Sequence, residues 1–183
     1  MKILIVEPES KGHHLILYIN KLIKVFLNKN YKIHILTSKK VITSPQYKII
    51  KKRFKNFKTH TFEYNLELKK RTFISKFIFK FLYFFKIFNK INKLQKSNDY
   101  KIIFFNHLDP FFYIYSIIGY FFNVKNISGL YLNCKFHHSF YKFKKNLILD
   151  YLKLSLFKLC LKNSKLEKIF LVDKLLKKFF DLK

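Results

Sequence analysis

Met1-Lys-Ile-Leu-Ile-Val-Glu-Pro-Glu-Ser-Lys-Gly-His-His14 is the stretch that decides the fold. Ile3 to Val6 form an unbroken apolar run, short enough for a parallel strand buried on both faces. Pro8 and Gly12 interrupt it, and a helical pattern follows at once. A strand, a glycine-bearing turn and a helix start make the opening unit of a doubly wound α/β domain. In such sheets ligands bind outside the carboxyl ends of the strands. Exposed backbone N–H groups at the helix start favour an anion there. His13 and His14 stand at that point.

Working outward, Leu15, Tyr18, Ile19, Leu22, Ile23 and Phe26 recur at helical spacing, with Asn20, Lys21, Lys24 and Asn28 as the polar stripe. That helix is expected to stop near Asn28 to Asn30. Tyr31 to Thr37 reads as a second strand. Ser38 to Lys58, basic and carrying Pro45, reads as loop with at most a short helix. Thr59 to Tyr64 is a candidate third strand. Thr72 to Lys96 is the longest helical pattern, without proline, glycine or acid. Lys101 to Asn106 reads as a buried strand, Pro110 as the first turn of a helix running to about Phe122, and Asn126 to Leu132 as the next strand. Asn133 to Phe140 is a polar loop. Lys142 to Lys162 is helical, with Leu147, Tyr151, Leu154, Phe157 and Leu161 along one face. Lys168 to Val172 is a last strand, and Asp173 can cap a short final helix. This alternation predicts an α/β, Rossmann-like, doubly wound and mainly parallel sheet with helices on both faces, forming one domain over 1–183.

Half of the 183 residues are hydrophobic, which argues against disorder despite a formal charge of +28. Such charge suits anionic partners, yet only Arg53 and Arg71 are arginine. Abundant Lys, Asn, Ile, Phe and Tyr are also what AT-rich codons produce. A nucleic-acid reader is expected to interleave arginine with exposed aromatics, so nucleic acid is an unlikely partner. Cys134 and Cys160 are too few for a disulfide framework and fit a reduced, cytoplasmic chain. Cys134 beside His137 and His138 invites a zinc reading, but no second ligand pair has suitable spacing, so no metal is expected. The N-terminal apolar run is too short for a signal peptide. Ile102 to Phe122, the best membrane-span candidate, carries Asn106, His107, Asp109 and Pro110 near its middle and fits a strand, turn and buried helix better.

The loops after the first, fourth and fifth strands are expected to share one sheet edge. They carry Gly12, His13 and His14; His107 and Asp109; and Asn133, His137 and His138. Gly12 is either a turn glycine or a close backbone approach to a ligand. His13 is the best general-base candidate, since an imidazole titrates near neutrality. Its neighbour His14 points about 100° away on a helix, so one of the two can be a cap or core histidine. Asp109 can orient His107, bind a ligand hydroxyl or cap the following helix. His34, inside a strand, and His60, at a strand edge, receive no role. The full G-x-G-x-x-G fingerprint is missing, which weakens a nicotinamide-cofactor reading.

Lys2 to Val6, Gly12-His13-His14, Tyr18, Leu22 and the strand Tyr31 to Thr37 together resemble the start of a GT-B type glycosyltransferase. Phe104-Phe105-Asn106-His107 and the polar loop after Leu132 stand where such N-terminal domains place active-site loops. The resemblance implies transfer of sugar from a nucleotide-sugar to a glycan or lipid-linked acceptor, with no further cofactor. It implies that Gly12 approaches the donor phosphates and that His13 or His107 lines the transfer site. His14, Asp109, Asn133, His137 and His138 are further substrate-binding candidates. GT-B enzymes have two such domains facing a cleft, and this chain has the length of the acceptor-side one. A separate C-terminal donor domain is therefore an expected partner, and the chain alone is expected to be inactive.

The Thr72 to Lys96 helix carries a second expectation. Lys76, Lys80, Lys86, Lys90 and Lys93 fall within an arc of roughly 140°, with Phe79 and Tyr83 among them. Lysine stems and exposed rings suit an anionic membrane surface, so a peripheral location on its inner face is expected. The competing reading of the whole chain is a non-enzymatic basic module that binds anionic membrane or nucleic acid.

Overall fold

A computed structural model describes residues 1–8, 15–63, 73–119, 122, 124–131, 147–162 and 166–171. The chain divides into two compact units, Met1–Asn106 and His107–Lys183.

In the first unit, strands β1 (Lys2–Glu7), β2 (Lys32–Ser38), β3 (Phe57–Phe62) and β4 (Tyr100–Phe105) lie in the order β3-β2-β1-β4. Every pairing among them is parallel. Ile3, Leu4, Ile5 and Val6 are completely buried, so both faces of β1 are covered, as a continuous apolar run requires. Helices α1 (Asn20–Asn28), α2 (Lys39–Ile42), α3 (Pro45–Arg53) and α4 (Phe73–Ser97) do the covering.

Adjacent residues of a strand point to opposite faces, and the ring contacts sort the helices accordingly. Phe26 of α1 meets Phe104, and Tyr47 of α3 meets Phe57. On the other face Phe88 of α4 meets Phe105, and Tyr83 of α4 meets Phe62. Helices on both faces of a parallel sheet are the expected doubly wound, Rossmann-like arrangement.

Local chemistry sets the ends of these elements. Leu15–Ile19 forms a single wide π-type turn before α1. Asn30 then takes φ 58°, a left-handed conformation that asparagine tolerates, and turns the chain into β2. The Ser38 to Lys58 stretch, expected as loop with room for a short helix, holds two helices, α2 and α3. Ser44 accepts a hydrogen bond from the Tyr47 N–H at 3.3 Å, and Pro45 occupies the first turn, so a serine cap with proline starts α3. Apolar Tyr47 and Ile50 then bury its inner face. Strand β3 consequently begins at Phe57, two residues before the sequence expectation.

The second unit contains α5 (Asp109–Ile118), β5 (Ile127–Tyr131), α6 (Leu147–Leu161) and β6 (Leu166–Leu171). Strands β5 and β6 pair in parallel, and α5 packs on α6. The buried stripe of α6 is Leu154, Phe157 and Cys160, whereas Tyr151 and Leu161 of the expected face are about half exposed. Burial pushes the Cys160 thiol well above its usual range, which makes it a packing residue and not a nucleophile. Among the described residues no helix is long and apolar enough to cross a membrane.

Helix α5 ends at Ile118, short of the expected Phe122, with Gly119 at the cap position and its N–H still bonded to Tyr115 O at 2.8 Å. A Cβ at Gly119 would lie 2.5 Å from the Tyr115 ring and 2.6 Å from the Tyr115 carbonyl. The Tyr115 ring is completely buried and stacks on Phe111 at 5.3 Å, so it has no room to swing away. Gly119→Ala is expected to destabilise the protein by about 1–3 kcal/mol through overpacking. A lower urea midpoint at unchanged m value is the readout; an unchanged midpoint would show that the α5 terminus gives freely.

Candidate functional site at the carboxyl ends of β1 and β4

From β1 the chain crosses through α1 to β2 on one side. It reaches β4, on the other side of β1, only through α4. The connections therefore part between the carboxyl ends of β1 and β4, the switch point where doubly wound sheets open a crevice.

Two buried polar side chains meet there. Glu7, the last residue of β1, is 2% exposed, and Asn106, directly after β4, is completely buried. The Asn106 backbone N–H continues the ladder to Val6 O at 3.1 Å, and its side-chain amide donates to the Glu7 carboxylate. Thr37, at the end of β2, donates its hydroxyl to Glu7 O at 2.6 Å. The Tyr83 hydroxyl donates to Pro8 O at 3.4 Å. The three strand ends are thus tied together through β1.

The Asn106 carboxamide oxygen has no hydrogen-bond partner among the described residues. A buried acceptor left unsatisfied costs about 1–3 kcal/mol. The ends of β1 and β4 thus carry a buried carboxylate and a spare amide oxygen, groups whose chemistry is to accept from donors such as hydroxyls. Asn106→Leu is expected to remove the amide bond to the Glu7 carboxylate and to lower stability by about 2 kcal/mol, while Asn106→Asp, carrying a like charge, costs more. Thermal melts of the two variants give this order, and a stability gain in Asn106→Leu would show that the pair is dispensable.

Gly12, His13, His14, Asn133, His137 and His138 lie outside the described residues, as do the side chains of Asp109 and Lys76. His107 is half-buried and opens the second unit, next in sequence to Asn106. Asp109 begins α5 itself, with Leu108 at the cap position and no side-chain capping bond. Sequence reasoning missed Glu7 and Asn106 as site residues. The available signal was an acid and an amide each placed directly after a buried apolar strand.

On α4, Lys80 and Lys86 are exposed, and Phe79 and Lys90 are half-buried. The expectation for Tyr83 is corrected. Its ring is only 3% exposed, packed against Phe62 and Phe84, so it belongs to the core and not to an outer face. Among the described side chains of α4, the exposed apolar ones are Ile78, Leu82 and Phe85.

A second polar cluster joins His34, His60 and Tyr100. The His34 Nδ1 lies 2.6 Å from the Tyr100 hydroxyl and 3.1 Å from His60 Nε2. Burial, then the charges of His60, Lys58 and Lys2, pull His34 down to about 4. Burial, then Lys58 and Lys90, lower His60 as well. Burial raises Tyr100 to about 12. All three groups are therefore neutral at pH 7, which suits a hydrogen-bonded core cluster. Among the described residues no group of three or more His, Cys, Asp or Glu side chains is placed to hold a metal ion.

The strand order, the switch point and the helices on both faces define a Rossmann-like α/β fold. Its structural neighbours are UDP-glycosyltransferases of the GT-B type. UGT89C1 of Arabidopsis thaliana, solved with quercetin, aligns over 100% of this chain and 55% of its own length, with a TM-score of 0.52 and 10% identity. LpCGTa, solved with UDP, aligns over 72% of this chain and 30% of its own, with a TM-score of 0.43 and 11% identity. The chain thus spans about half, or less, of the length of these neighbours. No family model matches the chain, and no curated protein does so.

Proposed function

We propose that this chain is the acceptor-side half of a GT-B type glycosyltransferase, which transfers sugar from a nucleotide-sugar to a glycan or lipid-linked acceptor. The observation that carries the reading is the buried Glu7–Asn106 pair at the β1/β4 switch point, in a fold whose neighbours are UDP-glycosyltransferases. Glu7 and Asn106 form the polar floor that takes acceptor hydroxyls. His13 removes the proton from the attacking hydroxyl, and Gly12 gives the donor phosphates a close backbone approach. His14, His107, Asp109, Asn133, His137 and His138 are the further residues we assign to the transfer reaction and to substrate binding. A separate donor-binding half supplies the nucleotide contacts.

Backbone-amide NMR of the 183-residue chain tests the assignment. Candidate glycans are expected to move the resonances of Glu7, Thr37 and Asn106, while a nucleotide-sugar alone moves them little. Acceptor-induced shifts confined to α3 or α6 would contradict it.

The partner surface follows from α4. Exposed Ile78, Leu82 and Phe85 recur at helical spacing beside exposed Lys86. This face suits contact with an anionic membrane, where a lipid-linked acceptor resides. Leu82→Glu with Phe85→Glu is expected to cut sedimentation with phosphatidylglycerol vesicles several-fold, and binding at the wild-type level would remove α4 from the membrane contact.

A further inference from the structure

The first unit carries a concave surface, of about 740 Å³, between α3 and the amino-terminal half of β3. It lies away from the crevice, which opens at the carboxyl ends of the strands. Four of its eight lining residues are lysines: Lys48, Lys51 and Lys52 from α3 and Lys58 from β3. Lysine and arginine together make up only 38 of the 183 residues, so general basicity does not account for this density. No carboxylate lines the groove.

Helix geometry explains part of the clustering. Lys51 and Lys52 stand in the last turn of α3, where cations complement the helix dipole. Lys48 does not, because it lies near the start of the helix, and Lys58 is on another element. Lys48 and Lys52 are also four apart, a like-charge spacing that disfavours a helix by a few tenths of a kcal/mol, about 0.2–0.5. A bound anion removes that penalty.

The groove is also built and not merely charged. Lys51 Nζ donates to Phe57 O at 3.2 Å and sits 4.4 Å over the Phe57 ring, which fixes its ammonium. Tyr47 and Phe57 form a buried apolar floor, and the Tyr47 hydroxyl is tied to Thr59.

We infer that the α3–β3 groove is a phosphate-binding site, taking a phosphate or diphosphate group carried on an apolar or ring-shaped body. Several ammonium groups around one space match a multiply charged oxyanion better than a single carboxylate. The aromatic floor accounts for the organic part. The group can come from a soluble ester or from a lipid headgroup.

Inorganic pyrophosphate is the first probe, added at 150 mM salt to the ¹⁵N-labelled chain. Saturable shifts at Lys51, Phe57 and Thr59 are expected. They should weaken at least tenfold in Lys48→Glu/Lys52→Glu and persist in Lys21→Glu/Lys24→Glu, which removes the same charge from α1. Lys52→Ala/Lys58→Ala provides a milder variant should the charge reversal unfold the protein. Phosphatidylglycerol vesicles are the second probe. Vesicle binding lost in the groove variant and kept in the α1 variant assigns the phosphate to a lipid. Vesicle binding equal in both, with the pyrophosphate loss retained, assigns it to a soluble ester. Pyrophosphate shifts that do not saturate, or that fall equally in both double variants, would overturn the site and leave only diffuse charge attraction.

Discussion

His13→Ala, assayed with the donor-binding half present, is expected to slow nucleotide release by about 10²–10⁴-fold, the usual contribution of a positioned general base. A hydroxyl is a poor nucleophile until its proton has somewhere to go, and histidine titrates close enough to neutrality to accept and return it. The loss should fall on kcat, because His13 is assigned to proton transfer and Glu7 and Asn106 to holding the acceptor. Glu7→Gln keeps the shape of the floor but replaces its carboxylate, so it is expected to raise KM more than it lowers kcat. His14→Ala should cost less in kcat than His13→Ala, since His14 is assigned to binding and not to proton transfer. Full activity in His13→Ala, with circular dichroism unchanged, would remove this residue from the mechanism.

Acid is expected to begin destabilising the first unit above the range in which ordinary carboxylates titrate. The folded protein holds His34 near 4, whereas an unfolded histidine titrates at 6.5. Between those values the unfolded chain binds more protons than the folded one, so stability falls as pH drops from about 6.5 to about 4. The shift corresponds to a loss of at most about 3 kcal/mol, and the lowered pKa of His60 adds to it in the same direction. Part of that loss is the repulsion that protonated His34 would feel from Lys58 and Lys2. Urea midpoints at pH 7.5 and pH 4.5 measure it. His34→Gln keeps a hydrogen-bond acceptor for Tyr100 and is expected to flatten the profile. A pH dependence unchanged in His34→Gln would move the acid sensitivity elsewhere.

The parallel α/β class was legible because its signal is periodicity. Ile3 to Val6 and Ile102 to Phe105 are apolar runs bounded by polar or turn residues, and burial on both faces is their simplest use. Ser38 to Lys58 was less legible, since its many lysines mask the helix of α3. The Ser44-Pro45 start and the two buried side chains Tyr47 and Ile50 outweigh that charge. Tyr83 shows the limit of a helical wheel. The wheel gives the angle between side chains but not which arc meets the sheet, and Phe62 decides that for α4. His34 and His60 are 26 residues apart on adjacent strands, a proximity that only strand order creates. The same holds for Glu7 and Asn106, 99 residues apart. Hydrophobic pattern thus locates the strands, while the polar contacts between them depend on register and topology.

The central claim is that these 183 residues form the acceptor side of a sugar-transfer cleft. Release of nucleotide from a panel of nucleotide-sugars, with candidate acceptors present, tests it most directly when measured for the chain alone and again with a GT-B donor-binding half added. Half a cleft leaves the donor unheld, and holding both reactants supplies much of an enzyme's rate. The account predicts negligible release by the chain alone, acceptor-dependent release on addition of the donor half, and loss of that release in His13→Ala. Robust turnover by the isolated chain, or none at all in the combination, would contradict it.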